Sequence, residues 1–147
     1  MMMGTILASL GEGLALTKAA GIEPKLLLEV LDLGVMSCGL LKLKGPKMLA
    51  GDYVPNFPLR HAHKDVKLAI GLASSLGLGL PVAAGTDAAM RPAIASGLGD
   101  EDFAAMYETQ KVPGLATPAS GAGPSWPVCL ALCLGSVALG FVAARRR

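Results

Sequence analysis

The stretch NFPLRHAHKDVKLAIGLASSLGLGLPVAAGTDAAM, residues 56–90, decides the fold class. Ala62, Val66, Ala69, Ala73 and Leu76 recur at helical spacing and form one apolar face, while Arg60, Lys64 and Lys67 fall on the other side. The spacing predicts a helix over about 57–76, capped by Asn56 and broken by Gly77 and Gly79. Pro81 then opens a second helix that runs to Gly97, with a kink at Pro92, where the ring removes an intrahelical hydrogen bond.

Working outward, the same signals repeat. Met2, Ile6, Leu10 and Leu14 predict a first helix ending at Gly21. Pro24 starts another that Gly34 stops, a short helix covers about 37–49 before Gly51, and Asp100 begins a last one, DEDFAAMYE. No alternating β-branched run is long enough for a strand, so the predicted class is all-α. The pattern is already in phase at Met2 with no capping residue before it, as in the downstream part of a longer helix.

The 147 residues suffice for one compact domain. At 52% hydrophobic and 16% charged the chain is too apolar for a disordered one. Its net charge of +2 comes from Arg145, Arg146 and Arg147, because residues 1–144 hold 10 basic against 11 acidic side chains. A nucleic-acid partner, which needs a clustered basic surface, is therefore not expected. Cys38, Cys129 and Cys133 form no CxxC pair and read as small apolar fillers rather than zinc ligands or a disulfide framework. His61 and His63, two apart, face different ways on a helix and cannot share a metal, so no metal site is expected.

Four segments follow from composition: a helical domain over 1–110, a Pro/Gly/Ala linker over 111–125, an apolar run over 126–144 and a basic tail over 145–147. At about 1.5 Å per residue the apolar run reaches just under 30 Å, the thickness of a bilayer core, with Trp126 and the arginines at its ends. The expectation is a transmembrane helix that holds the domain on the cytosolic side. Without a span the domain is cytoplasmic or organellar. The N-terminus has no positive n-region and is not read as a signal peptide.

Chemistry centres on the 56–67 segment. The Arg60, Lys64, Lys67 stripe near a helix start suits a phosphate or carboxylate, and reads equally as a solvated face. Asp65 could orient a ligand hydroxyl or pair with Lys64. No Ser/His/Asp arrangement, P-loop or GxGxxG accompanies them.

MMMGTILASLGEGLALTKAAGIEPKLLLEVLDLG, then GPKMLAGDYVPNFPLRHAHKDVKLAIGLASSLGLGLPVAAGTDAAM, then SGLGDEDFAAMYE resemble the helical C-terminal domain of the β-hydroxyacid dehydrogenases. That domain is of the 6-phosphogluconate dehydrogenase-like type. The nearest members are glyoxylate/succinic semialdehyde reductases, with 3-hydroxyisobutyrate dehydrogenase further off. The resemblance implies NADP or NAD as cofactor, Lys64 reaching it, and Phe57 and Asp65 lining the substrate side. It also implies a small aldehyde or hydroxy-acid substrate and a homo-oligomer built through the helical domain. The family's catalytic lysine lies in a Gly-x-x-x-Lys-x-x-x-Asn pattern that would fall upstream of Met1. Lys18 and Lys25 sit on other turns and do not replace it. The implied chain is a cofactor- and substrate-binding domain without its Rossmann partner, inactive alone. A membrane-anchored helical interaction module without chemistry is the competing reading.

If 126–144 spans a bilayer, the full chain stays in the membrane pellet after carbonate extraction while a 1–110 truncation is released. Equal release of both would remove the span.

Overall fold

The computed structural model describes residues 1–111. Among them lie five α-helices: α1 (Met2–Ala19), α2 (Pro24–Leu33), α3 (Gly39–Ala50), α4 (Leu59–Ser75) and α5 (Pro81–Ala95). Two 3-10 segments, Leu98–Asp100 and Phe103–Thr109, close the order. The described residues contain no strand, only an isolated antiparallel bridge between Pro58 and Asp102, so the all-α expectation holds for them. None of their helices is long and apolar enough to cross a membrane. The expected apolar helix over 126–144 lies outside the described residues, as do the linker and the basic tail.

Helix α1 packs on every other α-helix and on the second 3-10 segment. Its buried residues are Gly4, Leu7, Ala8, Leu10, Gly11 and Leu14. This corrects the expected face: Met2 is 72% exposed and Ile6 only half-buried, so the core stripe is rotated onto two glycines. Those glycines permit close approach. A Cβ at Gly4 would sit 2.6 Å from Met90 Cε of α5, and one at Gly11 would collide with the Gln110 amide. The hydroxyls of Thr5 and Thr86 meet at 2.9 Å across the same contact.

The remaining boundaries follow local chemistry. Pro24 and Pro81 occupy first turns, where a missing N–H costs nothing. Gly77, at φ +71°, ends α4 and lets the Leu78 N–H donate back to the Ala73 carbonyl at 2.8 Å. Helix α5 stops at Ala95 rather than Gly97 and carries Pro92 within it. Leu76 is 72% exposed, outside the apolar face assigned to it.

Two capping expectations fail. Asn56 does not cap α4; Pro58 is the cap residue, with no side-chain hydrogen bond, and Asn56 is engaged elsewhere. Nor does Asp100 start a final α-helix. Asp102 caps the 3-10 helix Phe103–Thr109, its Oδ1 accepting from the Ala104 N–H at 3.1 Å. Phe103 to Tyr107 are all buried, filling the space between α1, α3, α4 and α5. The expected helix is thus present in part, as a 3-10 helix that starts at Phe103, and burial of five successive residues leaves no amphipathic period to fix its type or start.

Leu14 is fully buried in the core. Leu14→Ala is expected to cost about 2–5 kcal/mol, measured by urea unfolding. A loss under about 1 kcal/mol would place the core stripe of α1 elsewhere.

Candidate functional site

The start of α4 has no side-chain cap and depends on the segment that feeds it. Residues 57–59 lie antiparallel to 101–103 around the Pro58–Asp102 bridge, and Tyr53 makes a separate contact to the same segment. The Asp102 N–H donates to the Tyr53 carbonyl at 2.9 Å, Phe103 N–H to the Phe57 carbonyl at 3.0 Å, and Leu59 N–H to the Glu101 carbonyl at 2.8 Å. Beneath this pairing is a buried ion pair. Lys44 Nζ lies 2.6 Å from Asp102 Oδ2, with side chains 3% and 0% exposed. The same ammonium donates to Asn56 Oδ1 at 3.2 Å and lies 5.0 Å from the Phe103 ring centroid. Asp102 Oδ2 also accepts the N–H groups of Asn56 and Phe57, at 2.9 and 3.3 Å.

Burial pushes the Asp102 carboxyl up, but the Lys44 ammonium and the Ala104, Asn56 and Phe57 N–H groups outweigh it and hold the carboxyl below the ordinary range. A neighbouring cluster ties the same segment to residues 108–111: Tyr53 Oη donates to Glu108, which also pairs with Lys111. Burial first, and then Glu108, raise the Tyr53 phenol. Burial raises Glu108, yet Lys111 and Tyr53 leave it below its usual value.

The residues expected to meet a ligand lie on or next to the exposed face of α4. Lys64 is 60% exposed and 3.2 Å from Asp65 Oδ1, itself 44% exposed, so the two form a surface ion pair. Such a pair is weak and easily exchanged for a ligand. Arg60 pairs with Asp100, and Lys67 is exposed on the same side. Phe57 is half-buried, its ring 6.2 Å from that of His61 and 6.0 Å, edge-on, from that of Phe103. Phe57 lies in the loop before α4, against His61 and Phe103, while Lys64 and Asp65 lie in the second turn of the helix. His63 faces α5 instead, bonding Asp87 at 2.8 Å, and Asp87 also holds Arg91 at 3.0 Å.

Arg60 and Lys64 on this face are each paired with a carboxylate, Asp100 and Asp65, in exposed pairs. With no strand among the described residues, they contain no dinucleotide-binding sheet. A groove of about 760 Å³ lies between α2 and α3 over Leu28, Leu31, Leu41 and Leu49, and no α4 residue lines it. Among the described residues no group of three or more His, Cys, Asp or Glu is placed to hold a metal. Sequence reading missed Lys44 and Asp102. Nothing in either one's local pattern announces a partner 58 residues away.

Since Asp102 is ionised in the fold below its ordinary value, its contribution is complete above about pH 4 and fades as pH falls through the lower folded value. Lys44→Met leaves the carboxylate buried without its cation and costs about 3–5 kcal/mol near neutrality. Burial then dominates and raises the carboxyl, so acid favours the variant's fold. The stability gap between wild type and Lys44→Met, followed by urea midpoints, is expected to narrow below about pH 4. A constant gap would assign the loss to packing alone.

Comparison with known proteins identifies the helical domain. Residues 1–110 match the family described as NAD-binding of NADP-dependent 3-hydroxyisobutyrate dehydrogenase. The chain is 40% identical over 111 residues to glyoxylate/succinic semialdehyde reductase 2, chloroplastic, of Arabidopsis thaliana, covering 76% of this chain and 31% of that protein. It is 41% identical over 111 residues to glyoxylate/succinic semialdehyde reductase 1 of the same plant, covering 76% and 38%. The crystal structure of 3-hydroxyisobutyrate dehydrogenase from Salmonella typhimurium superposes with a TM-score of 0.69 at 25% identity, over 74% of this chain and 38% of that one. The chain thus spans about a third of the length of the curated relatives it matches. From Met1 to Gln110 it belongs to the NAD-binding domain family of the NADP-dependent 3-hydroxyisobutyrate dehydrogenases.

Proposed function

We infer that this chain is the helical half of an NAD(P)-dependent reductase site for small aldehydes or hydroxy acids, with Lys64 as its contact to the cofactor. The observation that carries the reading is the exposed Lys64–Asp65 pair on α4, within a domain of the NAD-binding family. Lys64 exchanges Asp65 for a nucleotide phosphate or ribose oxygen, and Arg60 and Lys67 add positive potential along the same face. Phe57 offers an apolar wall to the substrate's carbon chain. Asp65, released by Lys64, accepts a hydrogen bond from a substrate hydroxyl. NADP or NAD supplies the hydride when bound.

Neither Lys64 nor Lys44 is free to give the proton needed at the reduced carbonyl. Lys64 is assigned to the cofactor, and Lys44 is buried against Asp102. The 147-residue chain by itself therefore does not turn over, and its chemistry belongs to an assembly with a nucleotide-binding domain. A homo-oligomer formed through the helical domain, like those of the enzyme family it resembles, completes the reading.

Two measurements test it. The purified chain is expected to show no oxidation of NADPH with glyoxylate or succinic semialdehyde, and steady oxidation would overturn the claim of inactivity. Fused to a relative's nucleotide-binding domain, Lys64→Ala is expected to weaken cofactor binding by about 1–3 kcal/mol in a calorimetric titration. Unchanged affinity would return Lys64 to an ordinary solvated face.

A further inference from the structure

The buried pair Lys44–Asp102 lies apart from the surface face of Lys64 and Asp65, yet three polar groups on the approach to α4 converge on it. Asp102 Oδ2 takes the Lys44 ammonium and the Asn56 and Phe57 N–H groups, while Lys44 also holds the Asn56 side chain. Asp102 Oδ1 meanwhile caps the 3-10 helix Phe103–Thr109, against which the Phe57 ring packs edge-on. One carboxylate therefore fixes both the loop that carries Phe57 and the element behind it.

Helix α4 has no independent means of setting its start. Its cap residue, Pro58, has no N–H and makes no side-chain cap bond, and Leu59 is tied to the Glu101 carbonyl. Movement of the 53–58 loop along 101–103 would carry the first turns of α4, and Lys64 and Asp65 with them.

We propose that Lys44 and Asp102 are positioning residues of the cofactor face: by clamping residues 56–57 to residue 102, they set the register and orientation of the first two turns of α4. This deepens the cofactor reading and rests on it for its functional consequence, but the clamp itself is a property of the ligand-free chain. A structural ion pair of ordinary kind would lower stability everywhere alike. A clamp loosens one segment first.

The test uses the full 147-residue chain without ligand, followed by amide hydrogen exchange under native conditions. In Lys44→Met the amides of Asn56, Phe57, Leu59, His61 and Phe103 are expected to exchange at least about tenfold faster relative to those of Leu7, Leu10 and Leu14 than they do in wild type. Leu14→Ala, a core variant of comparable cost, is expected to leave that ratio within about twofold of wild type. The double variant Lys44→Met with Asp102→Asn, whose amide oxygen still accepts N–H donors without a buried charge, is expected to recover most of the difference.

A second arm titrates NADPH into the same chain and follows the amide shifts of residues 60–67, which are expected to weaken in Lys44→Met and to persist in Leu14→Ala. Uniform acceleration of exchange in Lys44→Met, with no excess at 56–61, would overturn the proposal. Absence of NADPH shifts in the wild type would count against the cofactor reading alone, because the exchange pattern judges the clamp without any ligand.

Discussion

An ionised carboxylate with no exposed side-chain surface survives only if every one of its acceptor sites is used, and Asp102 meets that condition with one ammonium and three backbone N–H donors. The constraint runs outward from there. The donors belong to α3, to the loop before α4 and to the 3-10 helix Phe103–Thr109, so satisfying the charge forces these elements to meet at one point. Lys44 is equally confined, with Asn56 Oδ1 and the Phe103 ring as its other neighbours. A hydrophobic contact at this junction would tolerate sliding. A buried charge bound by directional donors does not, and it fixes the entry of α4.

Much of the helical frame could be read from the sequence because its signals are local. Pro24 and Pro81 mark first turns, Gly51 and Gly77 mark ends, and the alternation of Ala62, Val66 and Ala73 with Arg60, Lys64 and Lys67 gives α4 its inner and outer faces. The resemblance located the exposed residues Lys64 and Asp65 for the same reason, since they stand in a short contiguous run. What escaped was non-local. The core face of α1 turns on Gly4 and Gly11, which contribute no hydrophobicity to a pattern and matter only because Met90 and Gln110 press against them. Asn56 looks like a helix cap until Lys44 claims its side-chain oxygen. Asp100 and Asp102 both stand before DEDFAAMYE's apolar run, and only the bridge to Pro58 selects Asp102 as the cap.

The arrangement separates two tasks. A rigid, charged junction inside the domain sets geometry, while Lys64 and Asp65 on the outer side of α4 stay solvated and weakly paired. Exposed ion pairs of this kind exchange partners at little cost, so a face built from them accepts an anionic ligand without repacking the core. The chain belongs to an NAD-binding domain family, and the proposed clamp would hold the start of α4 in one register for the proposed cofactor contact at Lys64.

The central claim is that Asp102 is a buried carboxylate kept ionised by Lys44 and the backbone donors around it. Carboxyl carbon NMR of Asp102, titrated through the acid range in the folded chain, tests this directly. The account predicts a midpoint below the unperturbed aspartate value of about 3.9. A midpoint at or above that value would mean that burial outweighs the donors, and would contradict the ion pair as the anchor of the site.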